Sequence, residues 1–176
     1  MTNPPLAPVG FGSLQSPIKI YIANRPPIDD YPAMDELRGL VAGEVDHIVR
    51  HTSNHWRKVF NVCAKFLFDW QAQQPNGNEL TCWQDYRDQH LFQSGSSASL
   101  LFSAPQLNDG FTRFHVVVGK TYAASLNLAP LVWVDQYFAL NKEYRLIVSP
   151  YPDYRQLSNS RITTLINLMQ SVANPT

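Results

Sequence analysis

Four short runs of apolar residues stand out along the chain: IKIYIA (Ile18 to Ala23), SLLFS (Ser99 to Ser103), FHVVV (Phe114 to Val118) and YRLIV (Tyr144 to Val148). The first alternates and is β-branched; the others are nearly continuous, as strands covered on both faces are. All four are predicted strands, and LVWV at Leu131 fits strand or loop equally. Between them the pattern changes to a helical period. HWRKVFNVCAKFLFDWQ from His55 sets Val59, Val62, Cys63, Phe66, Leu67 and Trp70 on one face, after a cap at Thr52 to Asn54. A last helix is predicted from Leu157 to Val172, and shorter ones in LTCWQDYRDQHLF and GKTYAASLNL. MDELRGLVAGEVDHIVRH from Met34 also reads as helix, although Gly39 and Gly43 weaken it.

Strands separated by helices predict an α/β domain of three layers, α/β/α, around a mostly parallel four-stranded sheet. Residues 1–17 hold four prolines and two glycines, which predicts an extended N-terminal arm before a single domain at 18–176. In open α/β sheets the ligand crevice lies beyond the carboxyl ends of the strands. NRPPIDDYP, SAPQLN, GKTY and SPYPDYRQLSN are therefore expected along one edge.

Composition changes this picture little. The 176 residues are 44% hydrophobic and 16% charged, a globular balance, and 14 basic residues match 14 acidic ones. No global field draws the chain to polyanions, so any such binding needs a local patch. No apolar run reaches membrane-spanning length and MTNPPLAPVG lacks a signal peptide's features, so a cytoplasmic protein without membrane contact is expected. Cys63 and Cys82 have neither metal-ligand spacing nor disulfide-scaffold density.

The loop after the last strand is the richest in chemistry. Pro150 and Pro152 fix its backbone, Tyr151 and Tyr154 offer ring faces and hydroxyls, and Arg155 can fork onto a phosphate or carboxylate. Packing of the tyrosines, with Arg155 on Asp153, is the structural alternative. After the first strand, Arg25, Asp29, Asp30 and Tyr31 form the matching set, with Asn24 a candidate ligand contact beside them. Adjacent carboxylates can position a water, or can simply sit in a solvated turn. Gly119 permits a tight strand-to-helix turn, with Lys120 a candidate phosphate contact, but no glycine-rich cradle precedes it. His47, His51 and His55 share a spacing of four, which would make a metal site only on an unbroken helix; the cap at Thr52 argues against it. No cofactor is expected, and no serine sits in a nucleophile elbow.

In order, IYIANRPP, SLLFSA, FHVVVGKTYAASL and LIVSPYPDYRQLSNSRITTLINLM resemble the segments of the uracil-DNA glycosylase-like superfamily, across residues 18–170. The resemblance implies that fold, with a water-positioning loop after the first strand and a base-contacting polar residue, near Ser103, after the second. It also implies a His-Pro-Ser-type loop before the final helix. Ala23 takes the loop's glycine position, Arg25 stands before Pro26, and Tyr151 takes the place of the final loop's histidine. The function implied is binding of a nucleobase, nucleotide or nucleic acid, with glycosidic hydrolysis if Asp29 or Asp30 activates water and Tyr151 or Arg155 supports the departing base. A non-catalytic domain holding a protein partner is the alternative. A weaker one is a hydrolase or transferase clamping a phosphorylated metabolite with Lys120 and Arg155.

Overall fold

The computed structural model describes residues 7–108 and 113–174. Four buried strands form the centre of its sheet: β2 (Ile18–Tyr21), β4 (Ala98–Leu101), β5 (Phe114–Val118) and β8 (Leu146–Ser149). They lie side by side in the order β4-β2-β5-β8, and each neighbouring pair is parallel. Every residue in them is buried, which is why their sequences read as near-continuous apolar runs.

The sheet is wider than the expected four strands. Short strands extend both edges: β1 (Gly10–Phe11) and β3 (Leu37–Arg38) beyond β4, and β7 (Ala139–Asn141) and β6 (Val132–Trp133) beyond β8. The result is one eight-stranded mixed sheet, with β1 antiparallel to β4, and β7 antiparallel to both β8 and β6. Pieces of two or three residues are too short to show a period, so their pairing partners decide them.

β1 lies within the segment expected to be an extended arm, whose first six residues fall outside the described ones. Phe11 is fully buried between the rings of Tyr31 and Phe102, at 5.5 and 5.1 Å. Glycine is required beside it. A Cβ on Gly12, at φ +124°, would come within 2.5 Å of Ser99 Cβ.

The helix expected from Met34 is corrected. Tyr31–Ala33 is a 3-10 turn, β3 follows, and the helix α1 runs only over Glu44–His51. Gly39 explains the difference, because a Cβ there would lie 2.4 Å from the Ser94 amide nitrogen. Close backbone approach overrides a local apolar period that mimics a helix. The remaining helices, α2 (Asn54–Ala72), α3 (Trp83–Gln89), α4 (Lys120–Ser125) and α5 (Asn159–Ala173), fall where the pattern puts them.

The layers are unequal. α1, α2, α3 and α5 bury their apolar faces with Ile18, Ile20, Leu100, Val116 and Ile147 in one large core. On the other face α4 and loop leucines cover a smaller core of Tyr21, Leu101, Val117, Leu146 and Val148. That face also holds an unexpected buried polar row. Lys19 lies in register between Ser99 and His115, and His115 Nδ1 is 2.7 Å from the Tyr21 hydroxyl. None of the helices among the described residues is long and apolar enough to cross a membrane.

Candidate functional site

Four parallel strands bring the loops after β2 and β8 to the same edge, separated only by β5. Beyond β8 the chain is braced by its own backbone: Asp153 N–H donates to the Tyr151 carbonyl, and Leu157 N–H to that of Asp153, both at 2.8 Å. The Asp153 carboxylate also accepts from Arg155 N–H at 2.8 Å. With Pro152 and Leu157 buried below, this loop presents Tyr151 at a fixed height. Gly119, at φ +106°, turns β5 into α4 beneath it; even a Cβ there would stand 3.6 Å from the Tyr151 ring.

Tyr151 is the hub. Its hydroxyl accepts from the Asn24 amide at 3.2 Å and meets His55 Nε2 at 2.5 Å. His55 reaches it because the helical run breaks at Thr52. Thr52 is extended, and its hydroxyl donates to the Ile48 carbonyl at 2.7 Å; a separate helix, α2, then starts at Asn54 behind Ser53 as its cap. Burial lowers the His55 pKa, with Lys58 adding to the effect and Asp153 opposing it. Burial also pushes the Tyr151 hydroxyl up to about 12. The tyrosine is therefore the donor and a neutral imidazole the acceptor.

A second group lies alongside. Lys58, one turn along α2, is 3.7 Å from the Asp153 carboxylate and 5.5 Å from the Tyr154 ring centroid. Arg155 is also 5.5 Å from that ring and donates from Nε to its hydroxyl at 3.2 Å. Tyr154 is half exposed, so two cations frame an open aromatic surface.

The other sequence candidates are engaged elsewhere. Arg25 Nη1 donates to the carbonyls of Pro32 and Met34, at 3.2 and 2.8 Å, and the guanidinium lies over the Phe102 ring. It ties its own loop. Asp29, in the left-handed region at φ +52°, is 2.6 Å from His47 Nε2, and the exposed Asp30 starts the 3-10 turn. Ser103 Oγ accepts from Val9 N–H at 3.0 Å, pinning the chain that enters β1. Lys120 Nζ stands over the Trp133 ring at 4.7 Å. Among the described residues no group of three or more metal-ligating side chains forms; His47 turns to Asp29 while His55 turns to Tyr151.

A cleft of about 550 Å³ lies at the opposite end of the strands, lined by Ser13, Ser16, Gln71, Asn78, Tyr86 and His90 among others. It includes none of the residues of the carboxyl-edge site.

A family model described as a family of unknown function, DUF6942, matches residues 9–170. The chain belongs to the DUF6942 family. No curated protein and no solved structure matches it. The DUF6942 span begins at the residue held by Ser103 and ends inside α5, so it takes in every side chain of the carboxyl-edge site.

Lys58 escapes the sequence reading, and His55 enters it only as a candidate metal ligand. The available signal was their spacing of three, which puts both on the first exposed turn of a helix whose other face is core. His55 also gives the site a pH dependence. Its folded pKa is below the ordinary value of about 6.5, so its contribution to stability is present above that pH. The contribution is lost as pH falls through it toward the depressed value. Thermal melts on acidification will show a steeper loss in the parent than in His55→Gln; equal slopes would remove His55 as the group responsible.

Proposed function

We propose that this chain is a divergent protein of uracil-DNA glycosylase-like fold that binds a nucleobase or nucleotide, free or at a nucleic-acid end. The site is the carboxyl edge of the parallel strands. One observation carries the reading: the hydrogen-bonded chain Asn24–Tyr151–His55, joining the loop after the first parallel strand to the loop after the last. The resemblance places an imidazole in the final loop. Here Tyr151 stands in that loop, and α2 brings the imidazole of His55 against its hydroxyl.

The arrangement suits base recognition. An exposed carboxamide supplies both donor and acceptor, and a hydroxyl already fixed by two partners loses little freedom on binding. The open Tyr154 ring suits stacking, while Lys58 and Arg155 suit a phosphate. Binding is proposed rather than hydrolysis, because neither acidic candidate is poised to activate water. Asp29 is committed to His47, and Asp30 is exposed in a turn.

Thermal shift with free bases, nucleoside monophosphates, inorganic phosphate and a short uracil-containing single strand tests this. A ligand at 100 times its dissociation constant adds about 2.7 kcal/mol. Protection by a nucleotide should shrink in Lys58→Ala and Arg155→Ala, while protection by the free base survives. Absence of protection by every ligand would reject the reading. So would protection that neither these variants nor Tyr151→Phe alters, which would direct attention to the cleft at the amino ends of the strands.

A further inference from the structure

The sheet terminates at β6, and its apolar side chains face solvent. Val132 is 69% exposed, Trp133 44%, and Val134 beyond them 53%. Edge strands ordinarily carry charges, prolines or bulges that stop another strand from adding. From Val132 to Val134 there is none. The edge is also stiffly presented. The Asp135 carboxylate accepts from the amides of Tyr137 and Phe138 at 2.7 and 2.8 Å, and Arg161 covers the Tyr137 ring at 3.8 Å.

The ladder reveals which backbone groups face outward. Val134 N–H donates to the Phe138 carbonyl at 2.9 Å, and the next pair inward is Trp133 with Ala139. Bonded and non-bonded pairs alternate in an antiparallel ladder, so Trp133–Ala139 is a non-bonded pair. The N–H and C=O of Trp133 therefore point away from β7, out of the sheet.

We propose that a second copy of this chain adds at this edge, β6 pairing antiparallel with β6 about a two-fold axis at Trp133. The sequence Val-Trp-Val is the same read in either direction from Trp133. A two-fold axis there makes Trp133 and the copy's Trp133 a bonded pair, each supplying the N–H and C=O the other lacks. It also sets Val132 directly against the copy's Val134, a β-branched cross-strand pair on each side of the axis. An isologous contact of this kind closes on itself as a dimer.

Charge does not oppose this arrangement. Trp133 shares its face with Ala139 and α4, and Lys120 Nζ lies over its ring. Leu131 packs with the same core as Ala139. From Leu131 to Val134 the chain carries no charge, so the two-fold register sets no like charges directly opposite.

Sedimentation of the full chain over a concentration series, from micromolar upward, will show a monomer–dimer equilibrium. Val134→Lys will abolish the dimer and, at dilutions where the parent too is a monomer, leave the unfolding temperature unchanged, because the side chain is exposed in the single chain. Register is tested by cross-linking in a Cys82→Ser background, where the remaining Cys63 is buried. Non-bonded pairs hold their Cα atoms about 4.5 Å apart, within disulfide range. Oxidising a mixture of Val132→Cys and Val134→Cys chains will link unlike chains, and either alone will stay largely unlinked. A monomer at every concentration would overturn the proposal. A dimer that Val134→Lys leaves intact would do so too, as would self-linking as efficient as the mixed reaction.

Discussion

The Trp56→Ala protein will unfold at a urea concentration far below that of the parent. Trp56 is 2% exposed, on the first turn of α2, with the Phe60 ring 5.6 Å away and the His55 ring 5.5 Å away. Truncating a buried aromatic removes its transfer free energy and leaves a cavity, a cost of about 3–5 kcal/mol. Domains hold only about 5–15 kcal/mol in total. For a chain of this size each kcal/mol lowers the melting temperature by roughly 2–4 °C. The midpoint should move with little change in the urea slope, since the surface exposed on unfolding is nearly the same. Trp56→Phe keeps most of the volume and should recover most of the loss. A shift below about 1 kcal/mol would mean that α2 does not seat this side chain in the core.

Tyr151→Phe will act on binding far more than on folding. The change removes one oxygen and strands two partners, the Asn24 amide and the His55 acceptor. Both groups reach solvent at least in part, so water replaces the hydroxyl in the free protein and the fold loses little. Once a ligand covers them, each partner left without a hydrogen bond costs about 1–3 kcal/mol. At 1.4 kcal/mol per factor of ten, nucleotide affinity falls by roughly 5- to 150-fold for each partner the ligand covers. Calorimetric titration with the best nucleotide from the thermal panel measures it directly. Equal affinities in the two proteins would take the hydroxyl out of the recognition surface.

What could be read from the sequence follows the strength of each local signal. β4, β5 and β8 are apolar because helices or loops cover both faces, and α2 shows a helical period across nineteen residues. The edge strands carry no such signal, and β3 hides in a stretch whose leucine and valine spacing imitates a helix. There the deciding contact is with Ser94, more than fifty residues away in sequence. The site divides in the same way. Asn24 and Tyr151 could be placed at one edge because strand-end loops can be ordered from the sequence, and there their side chains meet. Arg25 and Ser103 have suitable chemistry in suitable places, yet nearby backbone groups consume both. His55 was missed as Tyr151's partner because 96 residues separate them, and only the packing of α2 on the sheet joins them.

The strand order has a consequence for the chain while it is being made. β2 leaves the ribosome well ahead of both its neighbours, β4 and β5, since β4 begins only at Ala98. At roughly 5–20 residues per second, the apolar strip of Ile18, Ile20 and Ile22 waits on the order of ten seconds for a partner. β8 comes later still, after β5 and α4. The parallel centre of the sheet therefore cannot close until β8 has emerged, and the nascent chain must shield β2 until its partners arrive.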